Sequence, residues 1–175
     1  DVGSGKTMVA AAAAYCAARN GAQTALMAPT EILAEQHFAS LSALFVPLGV
    51  SVALLTGSMT GKQKKDVRER IAAGEVQVVF GTHALLSEST RFEHLGLVIT
   101  DEQHRFGVGQ RSRLSAKGED PHLLVMSATP IPRTLALILY GDLDVSILDE
   151  LPPGREPVDT FLVGESYRPR INAFI

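Results

Sequence analysis

The chain opens with DVGSGKT, whose last residues are a glycine, a lysine and a threonine in the order of a phosphate-binding loop. Glycines in such a loop let backbone N–H groups surround phosphate oxygens, and the following helix N-terminus adds partial positive charge. The ammonium of Lys6 would bridge the terminal phosphates, and the hydroxyl of Thr7 would ligate Mg²⁺. The alternative is a helix that merely starts with small residues. We predict a nucleotide site formed by Gly3, Ser4, Gly5, Lys6 and Thr7.

A pair of carboxylates follows an apolar run later in the chain. The stretch LVITDEQH, residues 97–104, places Asp101 and Glu102 at the carboxyl end of a strand candidate. One such carboxylate can hold a metal ion through water while its neighbour polarises the attacking water, as phosphoanhydride hydrolysis requires. We assign Asp101 to Mg²⁺ and Glu102 to the general base. The alternative is a solvated acidic turn.

Small hydroxyls follow another apolar run, in the stretch SATPIPRT. Ser127 and Thr129 can hydrogen-bond the loop of Asp101 and Glu102, and could thereby relay the state of the γ-phosphate. The alternative is that these residues only shape a strand-to-helix connection.

Three further stretches are suited to binding a phosphate backbone: APTEILAEQH, TGSMTGK and GTHALL. Thr30 and Thr82 each stand where a helix begins, so backbone N–H groups and a hydroxyl can be offered together. Such contacts would be independent of base sequence. The alternative is that they are ordinary helix caps.

The elements that must position these residues alternate along the chain. Short apolar runs predict strands at Thr24–Ala28, Val50–Leu55, Val76–Phe80, Leu95–Thr100, Leu123–Met126 and Val145–Leu148. Because most of these runs are continuously apolar, both faces of each strand should be covered. The order predicts an α/β fold, a mainly parallel sheet flanked by helices on both faces.

Two helices between the strands have recognisable ends. The first is capped by Thr30 and closed by Gly49, and its apolar stripe is Leu33, His37, Leu41, Leu44 and Leu48. We interpret His37 as a packing residue of that stripe whose polar groups are satisfied. The second helix spans Thr60–Ala73 and ends at Gly74.

The composition indicates a globular domain of 175 residues with 46% hydrophobic residues and a formal net charge of −3. Any contact with a polyanion must therefore come from local donors rather than from bulk charge. The longest apolar stretch, Met8–Ala18, is too short to span a membrane. A lone cysteine fits a reducing cytosol, and we expect Cys16 to be a buried packing residue.

With GSGKT, APTE, GTH, DEQH and SAT in this order, the chain resembles the first RecA-like motor domain of superfamily two helicases and translocases. The stretches DEQHRFGVGQR, ATPIPRTLAL and DELPPGREPV resemble the bacterial RecG branch, ATP-dependent DNA helicases that remodel stalled forks and Holliday junctions in DNA repair and recombination. Transcription-repair coupling factors share RFGV and PIPRT and are the nearest alternative. A motor that has become a binding module and a small P-loop kinase are more distant ones.

The resemblance implies a RecA-like P-loop NTPase fold, with ATP and Mg²⁺ as cofactors and branched DNA as partner. It assigns Gln103 and His104 to communication with the γ-phosphate and the second motor domain, and Ser127 and Thr129 to coupling. The residues expected to face DNA are Pro29, Thr30, Thr56, Gly57, Thr82 and His83.

The resemblance also predicts the domain organisation. Residues 1–157 would form the first RecA-like domain, and residues 158–175 a linker and the beginning of the second. The strand before the phosphate loop, the first loop glycine, an upstream wedge domain and most of the second motor domain are expected outside these residues. We therefore expect the chain alone to bind nucleotide weakly and to hydrolyse it negligibly. The expected location is the bacterial cytoplasm, in association with the nucleoid.

Overall fold

A five-stranded parallel sheet forms the centre of the computed structural model, which describes residues 4–101, 113–127, 144–148, 162 and 164–174. The strands are β1 (Gln23–Met27), β2 (Val52–Leu55), β3 (Val78–Gly81), β4 (Leu95–Thr100) and β5 (His122–Val125). Their order across the sheet is β2-β3-β1-β4-β5, and every neighbouring pair is parallel. The predicted fold class is confirmed.

Helices cover both faces of this sheet. Those that pack on it are α1 (Lys6–Arg19), α2 (Glu31–Phe45) and α3 (Gly61–Ala72). The described residues also form α4 (Arg168–Phe174) and short 3-10 turns at Val46–Leu48, His83–Leu86 and Glu165–Tyr167. The core cluster on one face contains residues of α1 and α2, and the cluster on the other contains residues of α3. Strand side chains alternate between the faces, so that Leu26 of β1 joins the first cluster and its neighbours Ala25 and Met27 join the second.

The helix ends follow the capping residues in the sequence. The side chain of Thr30 accepts a hydrogen bond from the backbone N–H of Leu33 at the start of α2. Thr60 and Gln63 form a reciprocal capping box at the start of α3. Gly49 and Gly74 have positive φ angles of 72° and 71° just after these helical segments, a conformation that glycine adopts at little cost.

Two predictions about secondary structure and helix packing were wrong. Residues 144–148 have no regular secondary structure, and Ile147 among them is 69% exposed. An apolar run becomes a strand only when a neighbouring strand pairs with it. The buried stripe of α2 also differs from the predicted one: it consists of Ala34, His37, Leu41 and Phe45, whereas Leu44 and Leu48 are exposed.

Cys16 is exposed, contrary to our expectation. The buried face of α1 is formed by Ala10, Ala11, Ala14 and Ala18. Cys16 lies two residues from the nearest of these positions, and this offset turns its side chain away from the sheet.

Candidate functional site

The loops after the strands meet at the carboxyl edge of the parallel sheet, where ligands bind in open α/β folds. Each loop carries predicted site residues. Thr56 and Gly57 follow β2, Thr82 and His83 follow β3, Pro29 and Thr30 follow β1, Asp101 follows β4, and Ser127 follows β5. Backbone hydrogen bonds hold these strand ends in register, from Ala28 N–H to Gly81 O at 2.9 Å and from Asp101 N–H to Met27 O at 3.1 Å.

The start of α1 carries the described part of the phosphate loop. Gly5 is the N-cap and has a φ angle of 85°, in the left-handed region. A glycine has no side chain with which to cap the first-turn N–H groups, and that turn contains no acidic residue. Such a turn favours an anion. Within the loop, the Lys6 ammonium donates to the Ser4 hydroxyl at 3.1 Å.

Close packing fixes the position of α1 over the sheet. Ala10 and Ala14 are 0% and 2% exposed, and their small side chains let the helix approach β1 and β4. Only residues 20–22 separate α1 from β1. Because so short a connection makes the helix run back along the sheet, the amino end of α1, with Lys6 and Thr7, lies toward the carboxyl edge.

Asp101 is tied to α2 as well as to the sheet. Its carboxylate Oδ2 lies 2.8 Å from Nε2 of His37, and both side chains are largely buried. The preceding residue, Thr100, is fully buried, and its hydroxyl has no hydrogen-bond partner among the residues that the structure describes. The end of β4 therefore holds the Asp101 carboxylate in a fixed environment.

His37 is the site residue that the sequence interpretation missed. Its helical spacing correctly indicated a buried position, and it is 9% exposed. Packing was not its whole role, because the imidazole makes a polar contact with a residue 64 positions away. A polar residue on a buried stripe requires a partner, and this rule was the available signal.

The candidate DNA-facing loops after β1 and β2 are joined by Glu31, the first residue of α2. Its carboxylate Oε1 accepts a hydrogen bond from the Ser58 backbone N–H at 2.9 Å. Hydrogen bonds from the Ser58 side chain, and from the Ser58 and Gly57 backbones, hold the pKa of Glu31 below its ordinary value against a smaller opposing effect of burial. A Cβ on Gly57 would lie 2.8 Å from Glu31 Oε1, so this loop packs closely on the helix end.

The predicted DNA-facing residues differ in exposure. Thr56 and Thr82 are 1% and 5% exposed, so their hydroxyls are not presented to solvent. Thr30, Gly57 and His83 are exposed. A nucleic-acid contact at the two buried threonines would therefore have to use backbone groups of their loops.

Several predicted site residues lie outside the described ranges: Gly3, Glu102, Gln103, His104 and Thr129. Within those ranges, no three His, Cys, Asp or Glu side chains are grouped closely enough to hold a metal ion unaided. No helix of the described parts combines the length and apolar character needed to cross a membrane.

Comparison with known proteins defines the class first. The family model of the DEAD/DEAH box helicases matches residues 1–138, and the chain belongs to this family. Solved helicases of low identity share the fold; among them Mycobacterium smegmatis Lhr is 16% identical, with a TM-score of 0.59 over 79% of this chain and 19% of its own. The RecA-like fold expected from the resemblance is thereby confirmed.

More similar relatives indicate the branch. The ATP-dependent DNA helicase RecG of Bacillus subtilis is 57% identical over 100% of this chain and 26% of its own length, and RecG of Aquifex aeolicus is 56% identical over 98% and 22%. A solved structure of RecG bound to a three-way DNA junction is 48% identical, with a TM-score of 0.84, and covers 99% of this chain and 23% of that one. The predicted resemblance to RecG is confirmed, and the chain spans about a quarter of the length of these relatives.

Proposed function

We propose that this chain is the ATP-binding motor domain of a RecG-like ATP-dependent DNA helicase that remodels stalled forks and Holliday junctions in DNA repair and recombination. Two observations together support this proposal. Similarity to RecG runs along the whole chain, and the sheet brings the loops with the predicted chemistry to one edge. Identity of 57% to RecG favours this branch over the transcription-repair coupling factors.

The nucleotide-binding roles follow from the start of α1 and the end of β4. Gly3, Ser4 and Gly5 would supply backbone N–H groups to the phosphates of ATP, and Lys6 would neutralise charge between the terminal phosphates. Glu102 would accept a proton from the attacking water as general base.

The oxygen donors at this edge fit a magnesium ion. Mg²⁺ is usually bound by one or two carboxylates together with substrate phosphates and water, rather than by an all-protein cage. The Asp101 carboxylate is a donor of that kind, and the described residues offer no cage. The Thr7 hydroxyl would add the oxygen that a threonine of a phosphate-binding loop gives to Mg²⁺. Bound there, the ion would supply charge neutralisation on the β- and γ-phosphates.

The coupling roles are assigned to side chains beside the nucleotide. Gln103 and His104 would contact the γ-phosphate and the second motor domain, and Ser127 and Thr129 would link that state to the DNA-facing loops. Those loops would offer mainly backbone N–H groups and the hydroxyl of Thr30 to DNA phosphates, which suits a motor that steps along any sequence.

The chain should be nearly inactive alone. We assign residues 1–157 to the first motor domain and 158–175 to a linker and the start of the second. In motors of this class, the second domain supplies an arginine to the transition state, a contribution of about 10³ to 10⁵ in rate in related NTPases. The full-length protein, with its wedge domain, would bind branched DNA in the bacterial cytoplasm at the nucleoid.

ATP turnover by the full-length protein, measured on forked and on linear duplex DNA, tests the proposal. Lys6→Ala should abolish nucleotide binding and turnover, whereas Glu102→Gln should abolish turnover and retain ATP binding. The matched control is Lys65→Ala, since the Lys65 side chain is 77% exposed on α3. Undiminished turnover by Lys6→Ala would contradict the nucleotide site, and equal stimulation by forked and linear DNA would contradict the RecG-like substrate.

A further inference from the structure

The contact between His37 and Asp101 joins two parts of the molecule that the proposed function treats separately. Asp101 belongs to the metal side of the site, at the end of β4. His37 belongs to α2, the helix whose first turn lies beside the candidate DNA-facing loops. The distance of 2.8 Å between Nε2 and Oδ2 is that of a strong hydrogen bond to a charged acceptor.

This hydrogen bond fixes the orientation of the carboxylate. A carboxylate oxygen accepts, so the ring nitrogen of His37 donates. The side chains of His37 and Asp101 are 11% and 15% exposed, so neither has much space in which to rearrange. The backbone N–H of Asp101 is held as well, by the carbonyl of Met27 at 3.1 Å. Groups that hydrogen-bond a metal-binding carboxylate typically change metal affinity or activity by about 10 to 100-fold when they are removed.

The first turn of α2 is attached to the surface proposed for DNA. Thr30 caps the helix, and Glu31 binds the Ser58 backbone N–H of the loop after β2. His37 lies seven residues after Thr30, or about 10 Å along the helix axis at 1.5 Å per residue. A helix moves as a unit over so short a length, so a displacement of its first turn would be felt at His37.

We propose that His37 is a positioning residue that holds the Asp101 carboxylate for the metal ion and couples it, through α2, to DNA contact at Thr30. The proposal rests on the nucleotide and DNA sites of the proposed function. It requires that nucleotide affinity respond to DNA, and DNA affinity to nucleotide, by the same factor. Loss of the hydrogen bond should reduce that factor.

A pair of polar variants separates positioning from packing. His37→Gln places an amide nitrogen near the position of Nε2 and should keep the hydrogen bond, whereas the amide of His37→Asn is too short to reach it. The control is His94→Asn, because His94 is exposed and precedes β4 at the opposite edge of the sheet. Thermal unfolding checks that each full-length variant folds.

The measurement is fluorescence titration of the full-length protein with a methylanthraniloyl-ADP probe, across a Mg²⁺ series, with and without forked DNA. We expect His37→Asn to raise the Mg²⁺ concentration at half-maximal binding by about 10-fold and to bring the ratio of probe affinities with and without DNA close to one. His37→Gln and His94→Asn should match the unaltered protein.

Failure of the inference and failure of the proposed function are distinguishable. Absence of Mg²⁺-dependent probe binding by the unaltered protein would contradict the proposed function, and the inference with it. Mg²⁺-dependent binding that is unchanged in His37→Asn would overturn the inference alone. The coupling would be overturned if DNA did not change the probe affinity of the unaltered protein. It would also be overturned if DNA changed the probe affinity equally in the His37→Asn and His37→Gln variants.

Discussion

Gln23 connects four chain segments at the amino edge of the sheet and provides a sharp test of what holds the fold. Its side chain is 3% exposed at the first position of β1. The amide nitrogen donates to Ile71 O at 2.9 Å and Val76 O at 2.8 Å, and the amide oxygen accepts from Glu93 N–H at 2.8 Å and His94 N–H at 3.0 Å. These four bonds use both donors of the side chain and two acceptor positions of its oxygen.

Replacement by leucine removes all four bonds at nearly constant volume. A buried neutral hydrogen bond contributes about 1 kcal/mol net, so the direct loss is about 4 kcal/mol. The N–H groups of Glu93 and His94 would each lose their acceptor, whereas Ile71 O would keep its bond from Gly74 N–H at 3.1 Å. Burying leucine instead of an amide offsets about 1 kcal/mol. We expect Gln23→Leu to lower the free energy of unfolding by about 3 kcal/mol, a large part of a typical domain's 5 to 15 kcal/mol.

Urea unfolding of the chain, followed by circular dichroism, measures this loss. The control is Gln36→Leu on the exposed face of α2, which should change the free energy of unfolding by less than about 0.5 kcal/mol. A loss below about 1 kcal/mol for Gln23→Leu would refute the reasoning, because the buried hydrogen bonds would then contribute little to the register of β1 with β3 and β4.

Two further substitutions test the carboxyl edge. Gly81→Ala should lower the free energy of unfolding by about 2 kcal/mol in the same assay, because its Cβ would crowd the Leu55 carbonyl and lie 2.9 Å from Leu85 Cγ. The control is Gly61→Ala, whose Cβ would have no neighbour within 4 Å. Equal stabilities of the two variants would contradict the crowding. Since the pKa of Glu31 is lowered in the folded chain, its contribution is present at neutral pH and is lost as pH falls through that lowered pKa. The protection factor of the Ser58 amide, which compares its exchange rate with the intrinsic rate at the same pH, should therefore fall at acid pH. Glu31→Gln should reduce this pH dependence, and an unaltered acid loss of protection in that variant would contradict the assignment.

The strands of the sheet could be predicted from the sequence because each is a short apolar run with polar ends. The predicted bounds of β4 are the observed ones, and those of the other four strands differ by two residues or fewer. Their lateral order, β2-β3-β1-β4-β5, cannot be predicted from any local pattern of residues. It depends on which helices cover which face, and this is a property of the whole chain.

The limits of local pattern are clearest on the helices. In α1, alanines occupy both faces, so composition gives no direction for the helix. The predicted burial of Cys16 is wrong because the residue is exposed. In α2, the predicted stripe contains Leu44, whereas the buried residue is its neighbour Phe45. The partner of His37 could not be predicted, because periodicity reports burial of a residue and says nothing of what lies across from it.

The proposed function requires the loop of Lys6 and the carboxylate of Asp101 to bind one triphosphate at the carboxyl edge of the sheet. A crystal structure of the full-length protein with Mg²⁺ and a non-hydrolysable ATP analogue measures this directly. We predict a terminal phosphate oxygen about 3 Å from Lys6 Nζ, with the metal ion beside Thr7 and Asp101. A nucleotide bound elsewhere, or Lys6 and Asp101 separated without a shared ligand, would contradict it.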